Sequence, residues 1–146
     1  MTATADRFTA EEVDRLEIDG QPVHSLITVE LEQQTTITVV RHSTNPERTQ
    51  GVMLDSTGRL LIGGVGAGRF VLWADTAPGQ VEIEAQAGRI SIWNVWRDDI
   101  EQAWVGWSGI RPTFDEDELI LRCSDGHEPG DAADIVVGLC FDPPPR

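Results

Sequence analysis

Near the C-terminus, two apolar runs flank the ten-residue stretch Asp125-Gly-His-Glu-Pro-Gly-Asp131-Ala-Ala-Asp134, which has Asp at both ends, Asp131 inside and two glycines to bend it. Calcium takes roughly six to eight oxygens from carboxylates, carbonyls and water, so Asp125, Asp131 and Asp134 are candidate ligands of a Ca2+ ion. The Asp spacing and the lack of a closing Glu exclude an EF-hand. The same residues also read as a polar hairpin loop whose Asp side chains cap nearby backbone amides. Just upstream, Asp115-Glu-Asp-Glu118 is a run of consecutive acids. Its side chains cannot all converge on one ion, so it reads as solvated surface before a strand or as a contact for a cationic partner.

Four of the five tryptophans, Trp93, Trp96, Trp104 and Trp107, fall within 15 residues, and there is no Tyr. In a regular strand Trp93 and Trp96 point to opposite faces, as do Trp104 and Trp107, so one core cannot take both members of a pair. At least one ring is then expected at the surface, where a flat aromatic stacks on a sugar face or anchors a protein interface. The other arrangements are a bulge that turns both rings inward, or Trp93 packed under the loop Arg97 to Gln102.

Other chemistries lack their residues. The segment Gly63-Gly-Val-Gly-Ala-Gly68 has neither dinucleotide-loop spacing nor a P-loop Lys-Ser/Thr, and a strand pattern follows it, so it reads as a hairpin tip. His24, His42 and His127 share no metal spacing. Ser108 sits in Gly106-Trp-Ser-Gly-Ile110, which misses the nucleophile elbow by one position. No catalytic constellation assembles, and a non-enzymatic protein is expected.

The segment Leu119-Ile-Leu-Arg-Cys-Ser-Asp125, the Pro/Gly loop, Asp131 to Asp134 and the alternating Ile135-Val-Val-Gly-Leu139 together resemble the C-terminal hairpin of bacterial calcium-dependent galactose-binding lectins. That resemblance implies a small jelly-roll sandwich in which Asp125, with Asp131 or Asp134, ligates calcium and the ion coordinates sugar hydroxyls. It covers about 20 residues, and this chain has Ser124 and Asp where the family favours Asn.

The elements that must position these residues follow from periodicity. Thr9 with Glu12 forms a capping-box pattern and predicts a short helix over 9–16. Beyond Gly20 the apolar period is two, with strands predicted over 27–31, 36–39, 59–62, 70–74, 81–85, 90–96, 103–107, 119–123 and 135–141. Gly58, Gly68, Gly79 and Gly88, about ten residues apart, have two readings, a β-solenoid repeat or, since the copies share no interior pattern, successive hairpins of an antiparallel sheet. The expectation is an all-β, antiparallel two-sheet sandwich of jelly-roll type with about nine strands and a short N-terminal helix. It divides into an acidic arm over 1–19, one domain over 20–142 and an extended Pro-rich tail over 143–146. Cys123 and Cys140 fall on opposite faces of adjacent strands and are expected to be free thiols.

The chain of 146 residues has a net charge of −14, and all 11 basic residues are Arg. No basic patch collects for nucleic acid, no apolar run reaches membrane-helix length, and no basic, apolar leader opens the sequence, so a cytoplasmic protein is expected. Two partner classes follow. Calcium-assisted carbohydrate binding would use the Asp125 to Asp134 loop and a Trp of the cluster. An acidic interaction module, such as an inhibitor or immunity protein of a basic partner, would use the charge itself. Sheet edges also allow a dimer.

Overall fold

Alternation dictates the best-defined strands. Gln80–Ala85 alternates exposed and buried along its whole length, and Thr35–Thr44 begins in the same way. The computed structural model describes residues 15–18, 21–44, 48–97, 101–103, 109–115, 117–124 and 134–145. Its strands are β1 (Arg15–Ile18), β2 (Gln21–His24), β3 (Ile27–Leu31), β4 (Thr35–Thr44), β5 (Thr49–Ile62) and β6 (Val65–Trp73). They continue as β7 (Gln80–Ala85), β8 (Gly88–Arg97), β9 (Glu101–Gln102), β10 (Gly109–Asp115), β11 (Glu118–Ser124) and β12 (Ile135–Asp142). All pairings are antiparallel, along the path β1-β2-β10-β11-β12-β4-β7-β5-β8-β3, with β6 on β5 and β9 on β8. The sheet curls into a nearly closed barrel, and its interior is filled by Ile37, Leu54, Leu60, Ile83, Ile92, Leu121 and Leu139, all fully buried.

A corner gives the sheet this shape. The strands β7 and β8 lie end to end along one side of β5, as the pairs Leu60↔Ala85 and Ser56↔Ile90 show. Strands β3 and β4 run end to end beside them, pairing with β8 and β7 respectively. The sheet folds over where β5 passes Thr57, Gly58 and Arg59. There the Gln86 N–H donates to the Arg59 carbonyl (2.9 Å) and the Arg89 N–H to Thr57 Oγ1 (2.9 Å). Only glycines fit this crossing. A Cβ on Gly58 would lie 2.7 Å from the Ala87 carbonyl oxygen. Gly88, at φ +153°, would place one 2.8 Å from Thr57 Oγ1.

Two expectations are therefore corrected. The molecule is not a two-sheet jelly-roll sandwich, because β5 carries its hydrogen bonding round the corner and keeps both walls in one sheet. There is no N-terminal helix among the described residues. Leu16 lies in β1, which pairs with β2 directly from Ile18↔Gln21. The end of the predicted helix, Arg15 and Leu16, is therefore strand, and in sequence Asp19-Gly20 is a dipeptide that tight hairpins prefer. Residues 9–14 lie outside the described residues, as do 104–107 of the predicted strand over 103–107.

The glycine spacing is not a hairpin period either: Gly58 and Gly88 meet at the corner, and Gly68 lies inside β6. The tip of the Gly63 to Gly68 segment is only Gly63-Gly64. Both have positive φ, as a two-residue turn between Ile62 and Val65 requires.

Candidate functional site

The outward side chains of β7, β4, β12, β11 and β10 form one wall, acidic around Glu82, Glu84, Asp142, Glu118 and Asp115 and carrying Arg122 and Arg111 further along β11 and β10. Cross-strand register puts Glu84 beside Thr36, and Thr36 beside Asp142. In the next row Glu82, Thr38, Cys140, Glu118 and Asp115 stand side by side across five strands. Inward alternation of Val81, Ile83, Ile37, Val39, Leu119 and Leu139 holds these acids outward.

Thr36 Oγ1 donates to Glu84 Oε1 (2.9 Å), and His42 Nε2 lies 3.0 Å from Glu118 Oε2. Glu82, Asp115, Asp117 and Asp142 are exposed and have no ion-pair partner among the described residues. With strands about 4.8 Å apart, Glu118 and Asp115 are neighbours, but Glu82 stands about 14 Å from Glu118 and about 19 Å from Asp115, and Glu84 about 10 Å from Asp142. One cation, with ligands about 2.4 Å away, cannot gather them. The spread instead suits several cationic side chains of one polypeptide, with Glu82 and Glu84 alone set at the roughly 7 Å same-face repeat of an extended chain.

The opposite wall, built by β3, β8, the first half of β5 and β6, is different. Trp93 and Trp96 do point to opposite faces, yet both are buried, at 7% and 4% exposure. Trp96 faces the barrel interior beside Gln50. Trp93 belongs to a second apolar layer on the outer face with Met53, Val95, Val71 and Trp73. Guanidinium groups cover its rings: Arg69 Cζ lies 5.7 Å from the Trp93 centroid, and Arg97 Cζ lies 4.3 Å from that of Trp73. Trp73 lies over Gly51, where a Cβ would sit 2.7 Å from its Cε3. The acids here are matched, Asp55 to Arg69, Glu30 to Arg89 and Asp75 to Arg97. The expected exposed ring for sugar stacking is thus not offered by Trp93 or Trp96, while Trp104 and Trp107 lie outside the described residues.

At the barrel end, Asn94 Nδ2 donates to the Ser124 carbonyl (2.9 Å), tying β8 to β11 across the interior. The Asp134 N–H donates to the Cys123 carbonyl (2.8 Å), closing the base of the predicted metal loop. Asp134 is 3% exposed. Burial, and after it the Asp134 carboxylate, pushes the Cys123 thiol up to about 12, which makes it a neutral core side chain and not a nucleophile. Both cysteines are free, Cys123 inside and Cys140 on the outer face. Asp125 and Asp131 lie outside the described residues, and among the described residues no three His, Cys, Asp or Glu converge to hold a metal.

Sequence reasoning missed Glu82, Glu84, Asp142 and His42 as members of one surface. The alternation Val81-Glu82-Ile83-Glu84 was a visible signal, but its neighbours across the sheet were not. Compared with known proteins, the chain matches no family model, no curated relative and no solved structure.

Proposed function

We propose that this protein is a non-enzymatic binding module whose acidic wall captures a basic polypeptide. The reading is carried by the register-aligned rows of Glu82, Glu84, Asp115, Glu118 and Asp142, whose spread suits several Arg or Lys side chains and not a single ion. A net charge of −14 supports it, because such a charge steers cationic partners and repels nucleic acid. The covered Trp93 and Trp96 rings favour it over carbohydrate stacking.

The test is fluorescence anisotropy with a labelled nona-arginine peptide, in chelator, at low and at physiological salt. The triple variant Glu82→Gln/Glu84→Gln/Asp142→Asn is expected to bind about tenfold more weakly than the parent. The same charge removed from the other wall, Glu30→Gln/Asp55→Asn/Asp75→Asn, is expected to cost less than about threefold. Equal losses in the two variants would overturn the assignment of the surface. A requirement for added calcium would favour the Asp125 to Asp134 loop instead.

A further inference from the structure

The acidic wall has one irregularity, and it contains a histidine. Strand β4 pairs with β12 at Ser43↔Val136 and again at Arg41↔Val137, so His42 is the extra residue of a β-bulge. Bulges re-aim side chains, and this one brings the His42 ring over the sheet to Glu118, two strands away on β11. The strand between them contributes Gly138, directly opposite Val40 on one side and Ile120 on the other. A Cβ there would overlap the Glu118 carboxylate and lie 2.8 Å from His42 Nε2. The pair therefore crosses β12 through the space left by a missing side chain.

We infer that His42 is a proton-controlled regulator of the acidic wall, its protonation holding Glu118 in an internal ion pair and weakening capture of a basic partner. The inference rests on the proposed function of that wall. Histidine is the side chain whose charge ordinarily changes between about pH 5 and 8, and here it is added to a row of carboxylates.

The charged and titratable groups on the faces around it are Glu118 and Arg122 from β11, Asp115 and Arg111 from β10, Cys140 from β12 and Glu82 from β7. Arg122 donates to Thr113 Oγ1 (2.9 Å). Arg41, beside His42 on β4, donates to the Ala77 carbonyl (3.2 Å). Glu118 is the acid that the ring meets. With His42 neutral, Glu118 adds a negative charge to the wall; with His42 protonated, that charge is cancelled in place.

The experiment compares nona-arginine binding at pH 7.5 and 5.5 for the parent protein, His42→Gln and His42→Arg. Gln keeps a hydrogen bond to Glu118 without titrating, and Arg fixes the positive charge. The parent is expected to lose about threefold in affinity on going to pH 5.5, while His42→Gln stays near the parent's pH 7.5 value at both pH values. His42→Arg is expected to bind at the weaker level throughout. A parent-like pH response in His42→Gln would overturn the switch and leave the binding reading standing. No binding by the parent at either pH would overturn both.

Discussion

On the acidic wall, β7 and the start of β4 alternate cleanly, with apolar residues inward and Glu and Thr outward; on the Trp wall, Val52, Met53 and Leu54 are buried in succession, as are Ile92 through Trp96. The same barrel thus carries one wall with a single buried face and one with two. The difference decides where charge can collect. A wall that buries its outer face must neutralise the acids at its margin, and three Arg–carboxylate pairs do so there. A wall that leaves its outer face to water can leave its carboxylates for something else to meet.

The largest test of this contrast is Trp93→Ala. It removes a ring from a packed layer and is expected to cost about 3 to 5 kcal/mol of stability in a urea titration, with nona-arginine affinity unchanged at a denaturant-free concentration. Next, Gly51→Ala forces the Trp73 ring off its seat and is expected to cost about 1 to 3 kcal/mol. A neutral result for Gly51→Ala would mean that the outer layer is loosely packed and that the two walls are less unlike than described.

A third prediction moves to the inner side of the acidic wall. The folded state pushes the Cys123 thiol up to about 12 while the unfolded chain ionises it near its ordinary value of 9.0, so its contribution is complete below about pH 9 and is lost as pH rises towards 12. By pH 10 the parent should have lost about 1 to 2 kcal/mol that Cys123→Ala retains. Identical pH profiles for the two proteins would show that the thiol is not shielded. Smallest of all, Glu82→Gln/Glu84→Gln is expected to leave stability within about 0.5 kcal/mol of the parent, since exposed carboxylates on a regular strand support no packing.

The contrast also explains what the sequence could be made to tell. Strands β3, β4 and β7 were legible because each buries one face, and the hydrophobic period of two is then printed in the residue order. The first half of β5 was not legible, because Gln50, Gly51, Val52, Met53 and Leu54 are all buried and show no alternation. For Trp93 and Trp96 the sequence shows opposite faces but not what covers the outer ring. They are on opposite faces as expected, and a second apolar layer takes the ring that the first cannot.

The acidic wall was half visible. Glu82 and Glu84 show their outward placement in the local pattern, whereas their meeting with Glu118 and Asp142 depends on pairings between strands far apart in the chain. Asp134 was singled out and lies buried at the loop base, and its partners Asp125 and Asp131 fall outside the described residues.

The pairing of β4 with β12 has a kinetic consequence. It joins Thr36 to Asp142, 106 residues apart in sequence (142 − 36), and β4 is also the partner of β7 on its other side. During synthesis, β3, β4, β7 and β8 can form their ribbon early, but the edge of β4 that β12 covers waits until β12, over 135–142, has been made. Such long-range closure predicts slow folding, and an exposed β4 edge is the point at which nascent chains would associate wrongly.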